Sequence, residues 1–229
     1  MEFKQFTYLI LSLALLLLLT LTGPNKTARF RDTFKYMLPG ILFSFAIYII
    51  WGTRFNQIGI YTFNPEYITG INLWNLPIEE WIFLFVVSFV SLQMYNWVKI
   101  KFASFEKPNV FLAVSLVLLI IFGLTAYFFR QRLYAFFTFF LLSVYFGYTI
   151  FRNRFKKHYT KFYITYFIVL IPVLLVKGIL TALPVVTYNN SVTIGVQLFN
   201  IPLEDFGYFF LLLLMNISIF EYLNERRFF

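Results

Sequence analysis

Asn75-Leu76-Pro77-Ile78-Glu79-Glu80 stands directly before the apolar run 81–97. A near copy, Asn200-Ile201-Pro202-Leu203-Glu204-Asp205, stands before the apolar run 206–222, at an offset of 125 residues. Each copy reads as a loop-to-helix junction with Pro77 or Pro202 in the first helical turn, where the missing N–H costs nothing. Asn75 and Asn200 are suited to cap those helices, and first-turn acids complement the helix dipole. Capping accounts for one acid per helix. It does not account for two adjacent acids at the rim of an apolar layer, where carboxyl groups are expensive and mark function.

Of the 229 residues, 60% are hydrophobic, 23% aromatic and 13% charged, with a mean hydropathy of +0.76. Soluble domains carry about 25% charged residues, so this composition belongs to a polytopic membrane protein. The 33 Phe and 16 Tyr exceed what an interfacial belt needs. Spans lined with ring faces are expected, suited either to lipid packing or to a pocket for a flat or cationic ligand. The net charge of +9 sits in short loops between apolar runs and is a topology signal, so no nucleic-acid partner is expected. The absence of Cys excludes disulfide and thiolate chemistry. The single histidine, His158, lies in a basic loop, so no His-rich metal cluster is predicted, which leaves only a carboxylate-held Mg²⁺ as an alternative.

A bilayer core about 30 Å thick takes about 20 apolar residues per helix. Seven runs fit, at 5–22, 35–52, 77–97, 109–129, 133–151, 162–182 and 202–222. The first, following Lys4, reads as a retained span and not a cleaved leader. The second span carries Pro39-Gly40 near its start, and the sixth carries Pro172 and Lys177-Gly178, so its far end is expected to kink or to reach the interface. With seven spans, 14 of the 19 Lys and Arg residues fall on one side of the membrane. That side is cytoplasmic by the positive-inside rule. The chain is thus expected in the cell (inner) membrane, N-terminus outside and C-terminus inside, with both acid motifs on the outer side.

The repetition runs beyond the motif. Thr62, Asn64, Gly70, Leu73, Asn75, Pro77 and Glu79 recur as Thr187, Asn189, Gly195, Leu198, Asn200, Pro202 and Glu204. The predicted fold is an all-α transmembrane bundle of seven helices in a single membrane domain. Two three-span repeats, 1–105 and 131–229, are joined by a linker span, 106–130. An odd connector leaves the repeats parallel, related by an axis along the membrane normal. The two acid motifs should face each other across it.

Two inward acids placed so would share one proton, giving an acid beside a base. That equips the site for general acid–base chemistry on an apolar substrate, with aromatic faces to stabilise a carbocation. Glu79, Glu80, Glu204 and Asp205 are the candidate catalytic residues, and Asn75, Pro77, Asn200 and Pro202 the structural part of the motif. Trp81 and Phe206, directly after the acids, and Trp74 and Phe199, just ahead of them, are the candidate substrate-binding rings. Trp51, Trp74, Trp81 and Trp97 also fall at span boundaries, where an anchoring belt places them.

The twin Pro-x-Glu-[Glu/Asp] motifs, each at the start of a span, resemble those of the integral-membrane lycopene cyclases. These occur as two short subunits in some bacteria, as one fused chain in others, and as a domain of a bifunctional fungal enzyme. This chain is similar to the fused form over essentially its whole length. The resemblance implies a lycopene β-cyclase type of intramolecular lyase or isomerase, with lycopene as its lipophilic substrate. An acid protonates the terminal double bond, the cation closes a six-membered ring, and a base removes a proton. Pro77, Glu79, Glu80, Pro202, Glu204 and Asp205 are the functional set that it implies. The chain has no Gly-x-Gly-x-x-Gly dinucleotide fingerprint, and cyclisation involves no net redox change. No cofactor is therefore predicted, which leaves open only a reduced flavin or nicotinamide in a non-redox role.

Two alternatives use the same residues: a small proton-coupled membrane transporter, and a retinoid- or carotenoid-binding membrane protein. Lys177 invites a Schiff-base reading, but its place near a helix end predicts a snorkelling side chain. Gln93, Asn96 and Asn216 are expected to hydrogen-bond between helices. Glu221 and Glu225, beside Arg226-Arg227, read as an ordinary helix end.

Overall fold

The computed structural model describes residues 3–22, 29–152 and 155–225. Of the residues used to argue topology, Lys26, Arg154, Arg226 and Arg227 lie outside these. Among the described residues, seven α-helices predominate: α1 (Thr7–Thr22), α2 (Arg29–Gln57), α3 (Ile78–Lys101), α4 (Pro108–Phe128), α5 (Leu133–Phe151), α6 (Tyr159–Ala182) and α7 (Leu203–Glu225). Six of the helices are long and apolar enough to cross a membrane. α1, with 16 residues, spans about 24 Å at 1.5 Å per residue, and a 3-10 turn, Phe3–Phe6, extends it. The bundle has the composition and lengths of an all-α multi-pass membrane protein. Its outer helix α4 turns Val110, Val114, Val117, Ile121, Leu124 and Phe128 outward, as a lipid-facing helix does.

α2 extends several residues beyond the predicted 35–52 at both ends. Charge ends an apolar run but not a helix, whose backbone bonds close within the segment whatever the side chains. Pro39 and Pro172 both lie inside their helices. The glycine after Pro39 has a packing role. A Cβ on Gly40 would sit 3.2 Å from the Asn216 carbonyl oxygen of α7, so α2 and α7 approach along a face of minimal bulk.

α3 and α7 form the buried centre. α1 packs on α3 and α5 on α7, while α2 crosses to α7 and α6 crosses to α3. Each repeat thus lends its middle helix to the other repeat's last helix. α4 lies outside, against α5 and α6.

The loops repeat as closely as the helices. β1 (Tyr61–Phe63), β2 (Asn72–Leu73) and β3 (Leu76–Pro77) recur as β4 (Val186–Tyr188), β5 (Gln197–Leu198) and β6 (Ile201–Pro202). β1 and β4 pair antiparallel with Thr62 opposite Thr187. The two hydroxyls hydrogen-bond at 2.8 Å, as when a strand meets its own copy across a twofold axis. Both loops therefore cap the same end of the bundle, which makes the repeats parallel.

The junctions differ from the sequence reading. β2 and β3, like β5 and β6, form two-residue hairpins whose turns are Trp74-Asn75 and Phe199-Asn200. All four turn residues have positive φ, 48°, 62°, 53° and 62° in order, the sign pattern of a type I′ turn. Asn75 and Asn200 are thus turn residues, chosen because Asn tolerates the left-handed region, and not helix caps. Pro77 and Pro202 end the hairpins, and helices α3 and α7 begin one residue later, at Ile78 and Leu203. The Ile78 and Leu203 amides bond back to the carbonyls of Ile71 and Val196 at 2.9 and 3.0 Å.

Candidate active site

The two acids of each motif point different ways, because successive helix positions diverge by about 100°. Glu79 and Glu204 turn toward the loops. Glu79 Oε1 accepts the Thr69 N–H at 2.7 Å, and Glu204 Oε1 accepts the Ile194 N–H at 2.5 Å. Each ties down the loop segment ten residues upstream. Both carboxyls are buried, and the second oxygen of each has no hydrogen-bond partner among the described residues.

Glu80 and Asp205 turn into the bundle and are also buried. Tyr8 of α1 donates its phenol hydrogen to Glu80 Oε2. Tyr134 of α5 donates to Asp205 Oδ1. Asp205 Oδ2 accepts from Tyr188 at 2.7 Å and has the Lys177 ammonium 3.5 Å away. Among the described residues, no hydrogen bond joins one motif's carboxyls to the other's. The direct partners of the two inner carboxyls are phenols and one ammonium, not each other.

Lys177 is the largest departure from the sequence reading. It does not snorkel: it is 6% exposed and lies among the rings of Phe83, Phe209 and Tyr188, 5.5, 5.8 and 6.0 Å from their centroids. It also donates to the Tyr188 hydroxyl at 3.3 Å. The fold explains why. α6 crosses to α3, which turns this position, five residues before the helix end, inward toward a carboxylate that neutralises it. Burial, then the charge of Asp205, pushes the Tyr188 phenol well above its ordinary value, so it stays a hydrogen-bond donor.

The four ring candidates fall outside this cluster. Trp74 and Phe199 sit at the hairpin tips, 70% and 84% exposed. Trp81 packs on Trp74 and Phe45 and donates its indole N–H to the Leu73 carbonyl at 3.3 Å. Phe206 is half-buried, and its carbonyl accepts from Tyr166 at 3.0 Å. Tyr8, Tyr134 and Tyr188 touch the inner acids, Tyr61 lies within their field, and Phe83 and Phe209 flank the Lys177 ammonium beside them. Sequence reasoning also missed Tyr8 and Tyr134. They are counterparts at the start of the first helix of each repeat, but 126 residues apart rather than 125, so a fixed-offset comparison passes over them.

At the opposite end of the bundle, Glu221 and Glu225 are not an ordinary helix end. Glu221 is buried and pairs with Lys99 at 2.6 Å. Glu225 pairs with Lys157 at 3.0 Å and with His158 Nε2 at 2.8 Å. Helix periodicity and the chain reversal before α6 thus bring the only histidine to two acids, contrary to the expectation of an isolated loop residue. Ligand atoms of His158, Glu221 and Glu225 lie within 4.8 Å of one another. Two ammoniums already neutralise these carboxylates, however, which makes the cluster a complete ion-pair network. Asn96 reaches the Met37 sulfur at 3.6 Å. Asn216, by contrast, is buried with neither amide atom hydrogen-bonded among the described residues. Its expected interhelical bond is not made among the described residues.

A family model described as lycopene cyclase matches the chain twice, over residues 5–98 and 131–223. The chain belongs to the lycopene cyclase family. No curated protein and no solved structure matches it. Each matched stretch of this lycopene cyclase family member holds one acid motif with its hairpin, and α4 falls between the two matches. Membership makes the chain a carotenoid cyclase with a carotenoid substrate, working in a lipid environment.

Proposed function

We propose that the chain closes the linear end groups of lycopene to β-rings by acid-catalysed isomerisation, with Glu80 and Asp205 moving the protons. The observation that carries this is the pair of buried carboxyls converging on the bundle interior, each held by a tyrosine of its own repeat's first helix and flanked by ring faces. One carboxyl protonates the terminal double bond and the other removes a proton after ring closure. Ring faces of Phe83 and Phe209 offer negative charge to the cation between these steps. In the β-ring the new double bond extends the conjugated chain. Glu79 and Glu204 hold the loops that close this end of the site.

Substrate and product are isomers, so the reaction balances without an electron carrier. A reduced flavin or nicotinamide would serve only a structural or electrostatic role. In the reading put forward here, the site lies near the outer face of the cell membrane, with the N-terminus outside and the C-terminus cytoplasmic. The test is pigment analysis of lycopene-accumulating bacteria expressing the wild type, Glu80→Gln or Asp205→Asn. Wild type should yield a β-cyclic carotenoid and both variants, at normal membrane abundance, lycopene alone. Purified protein in lipid vesicles should turn over equally with and without added reduced flavin or nicotinamide. Lycopene left unchanged by abundant wild type would overturn the reading.

A further inference from the structure

The scaffold around the inner acids is nearly twofold, yet its charge is not. At an offset of 125, the counterpart of Lys177 in the first repeat is Gly52. A side chain there would crowd its neighbours: a Cβ on Gly52 would lie 3.0 Å from the Tyr61 hydroxyl and 3.3 Å from Leu76 Cδ1. Tyr61 occupies the space, donating to the Gly52 carbonyl at 3.1 Å. The first repeat is thus packed against a cation, and the second is built around one.

The consequence is a division between two otherwise similar carboxyls. Asp205 has an ammonium at 3.5 Å and two phenol donors. Among the described residues, Glu80 has one phenol donor and no cation within 4.0 Å. A desolvated ammonium requires a counter-charge, and a desolvated carboxylate requires a cation. Two carboxyls around one ammonium make a neutral pocket when one of them carries a proton, and the ion pair falls to Asp205.

Resting on the cyclase reading, we propose that Lys177 is the positioning residue that sets the direction of proton transfer, with Asp205 as the base and Glu80 as the acid. The Glu80 O–H proton goes to the inner carbon of the terminal double bond, whose π pair forms the new C–H bond. The tertiary cation left behind accepts the π pair of the second double bond, which becomes the ring-closing C–C bond and moves the positive charge into the ring. Asp205 takes a proton from a carbon adjacent to that charge, and the released C–H pair becomes the ring double bond. Glu80 ends ionised and Asp205 protonated. Return of that proton to Glu80 resets the site.

The base chooses which proton leaves, so its position governs where the ring double bond falls, whereas the acid governs only how often a cation forms. This separates the two roles by product. In lycopene-accumulating bacteria, Asp205→Glu, which moves the carboxylate by one methylene, should redistribute the product among ring double-bond isomers. Glu80→Asp should slow cyclisation and leave the isomer ratio unchanged. Lys177→Met should lower turnover at least about tenfold, and Lys177→Arg, which keeps the cation, should restore it. Wild type that leaves lycopene linear overturns the cyclase reading itself. Wild-type cyclisation with an isomer shift in Glu80→Asp but not in Asp205→Glu overturns the assignment alone. Full turnover in Lys177→Met, or an unshifted ratio in Asp205→Glu at normal rate, does the same.

Discussion

Glu79 and Glu80 are neighbours in sequence with different work to do, and substitution should separate them. Glu79 holds the Thr69 N–H through one oxygen, an interaction that a glutamine carbonyl can keep and an alanine cannot. Glu79→Gln should therefore retain most activity. Glu79→Ala should lose about 1–3 kcal/mol of stability, the cost of leaving the partly buried Thr69 amide unpaired, read as a lower thermal midpoint in detergent. Tyr188 makes a prediction about alkali. Its phenol, raised by burial and then by Asp205, binds its proton more tightly folded than unfolded. Its contribution is complete below the unfolded value of about 10 and is lost as pH rises through the folded value. Stability in detergent should fall from about pH 10 upward, and Tyr188→Phe should flatten that fall. Tyr61, raised by burial and then by Glu80 and Asp205, adds to the same slope.

The hairpins before α3 and α7 explain why these segments repeat so closely. Gly70 and Gly195 have φ of 82° and 85°, and Asn75 and Asn200 hold the left-handed turn. Asn64 and Asn189 accept the amides of Glu66 and Ser191 at 3.0 Å, and Thr62 and Thr187 meet across the axis. Most of the identical positions thus serve the cap at this end of the bundle. A Cβ on Gly195 would meet nothing within 4 Å, so Gly195→Ala tests backbone cost alone. It should destabilise by about 1–2 kcal/mol, the left-handed penalty for an L-residue, measured by thermal unfolding. Sequence made the seven helices legible because about 20 apolar residues announce a span. It made the acids legible because they recur at a fixed spacing. It hid the hairpins, since an aromatic-Asn pair is not the usual Asn-Gly signal of such a turn. It hid Lys177 and the tyrosines, since which way a residue near a helix end turns is decided by the helix it crosses.

At the level of the whole molecule, the site draws on α1, α3, α5, α6 and α7 and the β4 segment, so neither repeat completes it. We propose that repeats 1–105 and 131–229, with the linker 106–130, are separable units. Co-expressing 1–105 with 106–229 should restore cyclisation to at least about a tenth of the intact chain, and either piece alone should give none. Pigment extraction reads both outcomes. Failure with both pieces present in the membrane would mean that the α3–α4 connection is needed to align the repeats.

The exchange of middle helices also has a consequence in time. Glu80 and Lys177 are 97 positions apart, and a ribosome adds about 5–20 residues each second. For roughly 5–20 s of every synthesis, α3 therefore waits in the bilayer before α6 arrives to cover it. The newborn first half is an unfinished surface that displays its acids to lipid or to the translocation machinery, and whatever shelters it in that interval is as much a condition of the enzyme's existence as its own folding.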